Sequence, residues 1–319
     1  MRGKSHPGFD RLGTNGISGS HADNESPKEP FALSLSKGGR FRHGAVFSRF
    51  DLIAGLWWLP RALMLGALAF AIFGPLCNLL LWAVAEKWYF PHALPLEYGF
   101  SFWGRVFSAR GNAWEALGTS VMVAGLTVLA SLALAIPAGY ALARLKLPFR
   151  ALILLAFLIP QAFPNLPVYV NVARLFYAIG LNGTVAGVVI VHVTHGLVYA
   201  VWIATAAFAA IDRELEEAAR AAGASALRAF RDVSLPLAMP GLMASAIFVF
   251  LESLDEFTGS FFVGAPDVNT LPLLLYTAGA GGNYQIASIS ALLLLVPSIA
   301  FMLVLEKFLR ADVLARIGQ

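Results

Sequence analysis

The chain has 319 residues, of which 58% are apolar and only 13% are charged, and its mean hydropathy is +0.70. This composition excludes an ordinary water-soluble globule and indicates an all-α protein that crosses a membrane several times. The net charge of +4 is small, and its distribution indicates membrane topology and no nucleic-acid surface. The single cysteine, Cys77, excludes an internal disulfide and a cysteine-based zinc or redox site.

The first 50 residues are rich in Gly, Ser, His, Lys and Arg and contain no apolar run long enough to cross a membrane. We expect residues 1–50 to be a disordered cytoplasmic N-terminal segment. They lack the short apolar core and cleavage site of a secretory signal peptide, so we expect them to be retained. The transmembrane domain is predicted at residues 60–310.

Six apolar segments are predicted to cross the membrane, because each supplies the approximately 20 residues that a crossing helix needs. The third contains Pro160, Pro164 and Pro167, which indicate either a helix broken at a gate or a simple kink. Gly180-Leu181-Asn182-Gly183 predicts a turn before the fourth. The predicted spans are Ala62 to Ala85, Ala116 to Ala143, Ala151 to Ala173, Thr184 to Ala210, Pro240 to Val263 and Ile286 to Leu305.

Basic residues predict the orientation of these spans. If the N-terminus is cytoplasmic, 19 of the 23 Lys and Arg residues lie on the inner side of the membrane. Cytoplasmic loops carry such an excess of Lys and Arg. Both termini and the charged loop between spans four and five are therefore predicted to be cytoplasmic.

The charged loop at residues 212–236 predicts two short helices on the membrane surface. Asp212 is a candidate cap for the first helix, and Gly223 supplies the left-handed residue that commonly ends one. A second helix is predicted from Ser225 to about Val233, before Leu235-Pro236 starts the next span. The first helix carries one apolar stripe at helical spacing, formed by Leu215, Ala218, Ala219 and Ala222.

The same loop contains a spaced motif. Glu217-Ala218-Ala219 is followed by Gly223 and then by Val233, Leu235 and Pro236. An ordinary surface helix would account for an Ala-Ala pair, but not for the full spacing between two membrane spans. The motif resembles the signature of inner-membrane permease subunits of bacterial binding-protein-dependent ABC importers, with Val233 where that family usually has Ile.

The resemblance implies a type I ABC importer permease fold in the bacterial inner membrane. It also implies a second permease subunit, so that a heterodimer forms the path, two cytoplasmic ABC ATPases and a periplasmic solute-binding protein. Glu217 would contact an ATPase, Ala218 and Ala219 would fill its groove, Gly223 would let the turn fit, and Leu235 and Pro236 would complete the coupling element. The chain has no G-x-x-x-x-G-K-[ST] motif, so ATP would bind to the partners and no cofactor is expected here.

A second set of residues concerns the solute. Leu254-Asp255-Glu256-Phe257, Phe261-Phe262 and Thr270-Leu271-Pro272-Leu273 are most similar to the second permease of spermidine/putrescine importers. A polyamine or similar cation is therefore the predicted solute, with iron, thiamine, phosphonate or a sugar as alternatives. A membrane enzyme and an ATP-independent secondary transporter are the other classes. They are disfavoured because no polar residues converge from several spans and no internal repeat is found.

Three acidic residues, Glu252, Asp255 and Glu256, fall within the fifth predicted span. Their offsets of three and four place them on one helix face, where they predict a cation-attracting group in the solute path. A buried ion pair, or a span that ends early, would give them a structural role instead. His192 and His195 are also three residues apart, but no Cys, Asp or Glu accompanies them in the fourth span, which favours packing over a metal site.

Overall fold

Long apolar helices dominate the fold, and the all-α prediction is confirmed apart from one short two-stranded hairpin. The computed structural model describes residues 58–108, 111–163 and 165–317, so the predicted tail at residues 1–50 lies outside the described residues. The elements are α1 (Trp58–Ala83), β1 (Ala85–Lys87), β2 (Glu97–Tyr98), α2 (Ser101–Val106), α3 (Ala113–Arg144), α4 (Arg150–Ala156), α5 (Ile159–Ala162), α6 (Asn165–Ile179), α7 (Val185–Ala209), α8 (Arg213–Ala221), α9 (Ala226–Ala229), α10 (Leu235–Asp255), α11 (Leu271–Ala280) and α12 (Tyr284–Ile317).

Five helical stretches in the described part of the chain are long and apolar enough to cross a membrane. They coincide with the first, second, fourth, fifth and sixth predicted spans, and most of their ends fall within a few residues of the prediction. The fifth is the exception, since its helical stretch is Ala226–Asp255 and the prediction was Pro240 to Val263. In α1 the large side chains are exposed around the helix, Leu63 by 77% and Phe70 by 79%, as is typical of a span that faces lipid or another subunit.

The third predicted span, Ala151 to Ala173, is wrong as a single helix, because the chain there forms the three short helices α4, α5 and α6. Pro160 lies in the first turn of α5, where its missing N–H costs no hydrogen bond. Phe163 has extended backbone angles (φ −97°, ψ 143°), which is the conformation that the following Pro164 favours. Of the two interpretations that the sequence leaves open, the structure agrees with a broken helix, while the position of this break at a gate stays a prediction.

The predicted turn between the third and fourth spans is confirmed. Gly180 and Gly183 both have φ of +73°, in the left-handed region that glycine adopts readily. The N–H of Gly183 donates to the carbonyl oxygen of Val263 at 2.7 Å. This bond ties the turn to the π-helical segment Ser260–Gly264, which follows α10.

The core is formed where α3, α7 and α10 pack against one another through small residues. A Cβ atom added to Gly139 of α3 would lie 2.7 Å from the Cβ of Ala204 on α7. One added to Gly241 of α10 would lie 2.5 Å from the Cβ of Ala207, also on α7. Small residues allow helix backbones to approach closely in a membrane, where the hydrophobic effect gives no driving force between helices.

We therefore expect Gly139→Val to destabilise the bundle by about 1–3 kcal/mol, because the added methyl groups overpack the contact with Ala204. The measurement is the thermal midpoint of the detergent-solubilised protein. Gly125→Val is the matched control on the same helix, since nothing lies within 4 Å of a Cβ added to Gly125. Equal midpoints for the two variants would contradict the close-packing explanation.

Candidate functional site

The charged loop at residues 212–236 begins with α8, directly after Asp212. Asp212 has the extended backbone of a cap residue (φ −62°, ψ 130°), but its side chain makes no cap hydrogen bond, so the predicted side-chain cap is wrong. Glu214 and Glu216 lie in the first turn instead, where their negative charge complements the helix dipole. Arg213 ties this turn to α3 by donating from Nη2 to the carbonyl oxygen of Ala143 at 3.2 Å.

Gly223 ends α8 as the sequence predicts, with φ of +94°. The N–H of Gly223 donates to the carbonyl oxygen of Arg220 at 3.0 Å, and the N–H of Ala224 donates to that of Ala219 at 3.0 Å. These two bonds form a Schellman motif, which satisfies carbonyl groups that the helix end leaves free. A Cβ on Gly223 would have nothing within 4 Å, so the conformation of Gly223, and not crowding within this chain, requires glycine.

The second half of the loop continues into the membrane without a break. Ser225 caps α9 by accepting from the N–H of Arg228 at 3.3 Å. A π-helical turn at Phe230–Ser234 then joins α9 to α10. The predicted start of the next span at Leu235-Pro236 agrees with α10, whose first turn holds both residues, but one continuous helical path joins it to the second loop helix.

The predicted apolar stripe of α8 faces mostly away from the rest of the chain. Leu215 is 48% exposed, and Leu227 on α9 is 75% exposed. Ala219 is half-buried, whereas the other members of the stripe and the predicted contact residue Glu217 are exposed. We call the exposed set the docking surface, and it consists of Leu215, Glu217, Ala218, Ala222 and Leu227.

Glu216, unlike the exposed Glu217, faces the rest of the chain and forms the main internal contact of the loop. Its carboxylate accepts from Nε of Arg144 at 2.7 Å, from the hydroxyl of Tyr140 at 3.0 Å and from the hydroxyl of Ser234 at 2.7 Å. The side chains of Arg144 and Glu216 are only 8% and 13% exposed. Arg144 also donates from Nη1 to the carbonyl oxygen of Ile211 at 2.9 Å, where α7 passes into the loop.

The charge of Glu216 is stabilised by these donors. Burial alone would raise the pKa of Glu216, but the hydrogen bonds from Ser234 and Tyr140 and the charge of Arg144 lower it below its usual value. The carboxylate is therefore ionised at neutral pH. Sequence reasoning missed this contact of Glu216. The available signal was the spacing of four residues between Tyr140 and Arg144 at the end of a span that is predicted to be cytoplasmic.

The three membrane acids do not share one helix face, so that part of the prediction is wrong. Glu252 is half-buried on α10, and Asp255 is the exposed last residue of that helix. Glu256 has extended backbone angles (φ −75°, ψ 105°), and its carboxylate accepts from the N–H of Gly259 at 2.6 Å. Glu256 thus acts as a cap for the turn that follows α10, because it satisfies a backbone donor that would otherwise lack a partner.

Both histidines of α7 are buried and hydrogen-bonded, in agreement with the packing interpretation. His192 bonds through Nδ1 to the hydroxyl of Ser253 at 2.8 Å and through Nε2 to that of Ser260 at 2.9 Å. His195 bonds through Nδ1 to the hydroxyl of Tyr169 at 2.8 Å. Among the residues that the structure describes, no three His, Cys, Asp or Glu side chains come together as a metal site.

Comparison with known sequences identifies relatives across most of the described chain. Residues 135–313 match the model of the family described as "Binding-protein-dependent transport system inner membrane component". The trehalose transport system permease protein SugB of Mycobacterium tuberculosis is 30% identical over 216 residues, which cover 66% of this chain and 77% of that protein. The maltose/maltodextrin transport system permease protein MalG of Escherichia coli is 37% identical over 147 residues, covering 44% of this chain and 49% of that protein.

Comparison with solved structures shows the same fold. A chain of a bacterial ABC transporter involved in the import of the acidic polysaccharide alginate aligns with a TM-score of 0.59 at 20% sequence identity. The alignment covers 82% of this chain and 98% of that one. The type I permease fold that the loop motif implied is thereby confirmed.

The cap role of Glu256 has a measurable consequence. We expect Glu256→Ala to lower the stability of the detergent-solubilised protein by about 0.5–2 kcal/mol, because the N–H of Gly259 loses its acceptor. Glu256→Gln should lose less, since its amide oxygen can still accept. The readout is the thermal midpoint, with Asp255→Ala at the exposed end of α10 as the control. A midpoint for Glu256→Ala equal to that of the wild type would rule out the cap role.

Proposed function

Because the chain belongs to the family of binding-protein-dependent transport system inner membrane components, we propose that its docking surface binds a cytoplasmic ABC ATPase and passes ATP-driven movement to the membrane helices. The chain is an inner-membrane permease subunit of an ABC importer, with helices that cross the membrane several times. The observation that carries the proposal is the apolar stripe of α8, which internal contacts hold in place while Leu215, Ala218 and Ala222 stay exposed in the described part of the chain.

The chemistry of the docking surface suits a protein partner. Leu215 and Leu227 present apolar side chains to solvent on a charged loop, and exposed apolar surface rimmed by charge marks interaction sites. Between the two leucines, Ala218 and Ala222 leave room for another backbone to approach. Glu217 adds an exposed carboxylate that a basic side chain of the ATPase would pair with.

The remaining partners follow from the same role. We propose that a second permease completes the solute path as a heterodimer, that two cytoplasmic ATPases bind ATP, and that a periplasmic binding protein delivers the solute. The count of basic residues supports a cytoplasmic position for both termini and the docking surface, in the bacterial inner membrane. The chain itself then needs no cofactor and performs no covalent chemistry.

The proposal also concerns the class of solute that the importer transports. The sequence favoured a polyamine because the segments around Asp255 and Leu271 resemble those of spermidine/putrescine importers, with the three acids as a possible cation-attracting group. Of these acids, Glu256 caps a turn, which leaves Glu252 and Asp255. The relatives named above belong to systems for trehalose and maltose or maltodextrin, and another belongs to an alpha-glucoside system. We therefore propose a sugar as the solute, which was among the alternatives that the sequence left open.

The docking role predicts that Glu217→Lys weakens retention of the ATPase, because it reverses a charge at the contact. The measurement is the amount of ATPase that co-purifies with the tagged chain after detergent extraction. Glu115→Lys, which reverses an exposed carboxylate in the first turn of α3, is the control for insertion and folding. Stoichiometric ATPase on the Glu217→Lys chain would count against the docking surface.

The solute proposal predicts uptake of trehalose or maltose, and not of putrescine, by proteoliposomes containing the chain with its second permease and ATPase. The assay adds ATP inside, the binding protein of the same system outside, and each labelled solute in turn. The sugar is expected because the relatives serve sugars and one of the three acids is engaged within the chain. Uptake of putrescine and of neither sugar would restore the polyamine interpretation.

A further inference from the structure

We propose that Glu216 is a positioning residue that fastens the docking surface to α3 and α10 at the same time, so that movement of the docked ATPase is transmitted to both helices. This inference rests on the proposed docking function and adds the internal joint through which that function would operate. Glu217, the neighbouring carboxylate, faces the partner, whereas Glu216 faces the permease.

The first part of the joint connects the loop to α3. Tyr140 and Arg144 lie one turn apart at the cytoplasmic end of that helix, and both donate to the Glu216 carboxylate, at 3.0 and 2.7 Å. Charge-assisted bonds of this length are directional and are stronger than neutral ones. A displacement of α8 would therefore draw the end of α3 with it.

The second part of the joint connects the loop to α10. The hydroxyl of Ser234 donates to the same carboxylate at 2.7 Å, and Ser234 is the residue immediately before α10. Ser234 is itself fully buried. The Glu216 carboxylate thus connects the start of the loop, the end of the loop and α3. Its partner Arg144 on α3 is 72 residues away in the chain.

Aromatic packing beside the carboxylate connects α3 to α7 and to the π-helical turn. The ring of Tyr140 packs edge-on against those of Phe208 and Phe230, with ring centres 5.4 and 4.8 Å apart. Phe208 belongs to α7, and Phe230 begins the π-helical turn. Arg144 also donates to the carbonyl oxygen of Ile211, directly before the loop. Three membrane helices therefore meet at Glu216 and the rings beside it.

The buried position of Glu216 separates its role from that of a contact residue. Its side chain is 13% exposed, so an ATPase bound to the docking surface would reach Glu217 and not Glu216. Removing the Glu216 charge should leave the docking surface intact but loosen its attachment. The expected defect is thus a loss of coupling between ATP hydrolysis and transport, and not a loss of the partner.

The test uses the complete importer, purified with its second permease, ATPase and binding protein and reconstituted in proteoliposomes. For Glu216→Gln, we expect the ATPase to co-purify as for the wild type, while solute transported per ATP hydrolysed falls by about tenfold, as expected for losing a hydrogen bond to a charged group. Glu217→Gln neutralises the exposed carboxylate next to Glu216 and is the matched control. This variant should instead reduce the amount of ATPase that co-purifies.

Two milder variants keep the inference testable if Glu216→Gln does not fold. Tyr140→Phe retains the ring packing and removes one donor, and Ser234→Ala removes another. Each should lower transport per ATP on its own, but the Tyr140→Phe/Ser234→Ala double variant should lose less than the sum of the two, because both groups act through one carboxylate. General destabilisation would instead give additive losses.

The outcomes separate this inference from the function on which it rests. Normal transport per ATP in Glu216→Gln, or in both Tyr140→Phe and Ser234→Ala, would overturn the joint and leave the docking role standing. Loss of the ATPase from Glu216→Gln would also overturn it, by placing Glu216 at the contact. Failure of the wild-type chain to retain any ATPase would refute the proposed function itself.

Discussion

A bilayer offers no water to backbone N–H and C=O groups, and this constraint shapes the whole chain. Uninterrupted helices meet this constraint by themselves, which is why α1, α3, α7 and α10 are long. Where a helix stops within the membrane region, other groups form the hydrogen bonds that the backbone needs. The carboxylate of Glu256 accepts from Gly259 beyond the end of α10, and the carbonyl oxygen of Val263 accepts from Gly183.

Outside the membrane the same chain is held together differently. The helices of the loop are too short to be stable alone in water, so their form depends on caps and on contacts with the membrane helices. The Schellman motif at Gly223 and the serine cap at Ser225 fix the turn. The Glu216 carboxylate then holds the loop against the bundle, while the apolar side chains of α8 remain outside. A loop held in this way, with an apolar face exposed in the described part of the chain, suits the proposed docking role, because little conformational freedom would be lost on binding.

Composition and local signals were enough to predict much of this fold. The long spans follow from apolar runs, the turn at residues 180–183 from its two glycines, and the end of α8 from Gly223. The end of α10 at Asp255 was not predicted, because no glycine or proline marks it and a side chain from the following residue creates the break. The bond between Arg144 and Glu216 joins residues 72 apart, and such pairing depends on helix packing that a single sequence does not encode locally. The family motif also directed attention to Glu217 and away from its neighbour.

The acids in the membrane region show how one residue type serves different needs. A carboxylate away from bulk water must be compensated, and the sequence alone allowed a cationic solute, an internal partner or an early end of the span to do so. The structure gives Glu256 an internal partner and places Asp255 at an exposed helix end. Half-buried Glu252 on α10 lies close enough to His195 of α7 for the two side chains to interact electrostatically. The hydroxyl groups of a sugar donate to carboxylates as ammonium groups do. A single carboxylate in the proposed solute path is therefore compatible with a sugar and does not by itself require a cation.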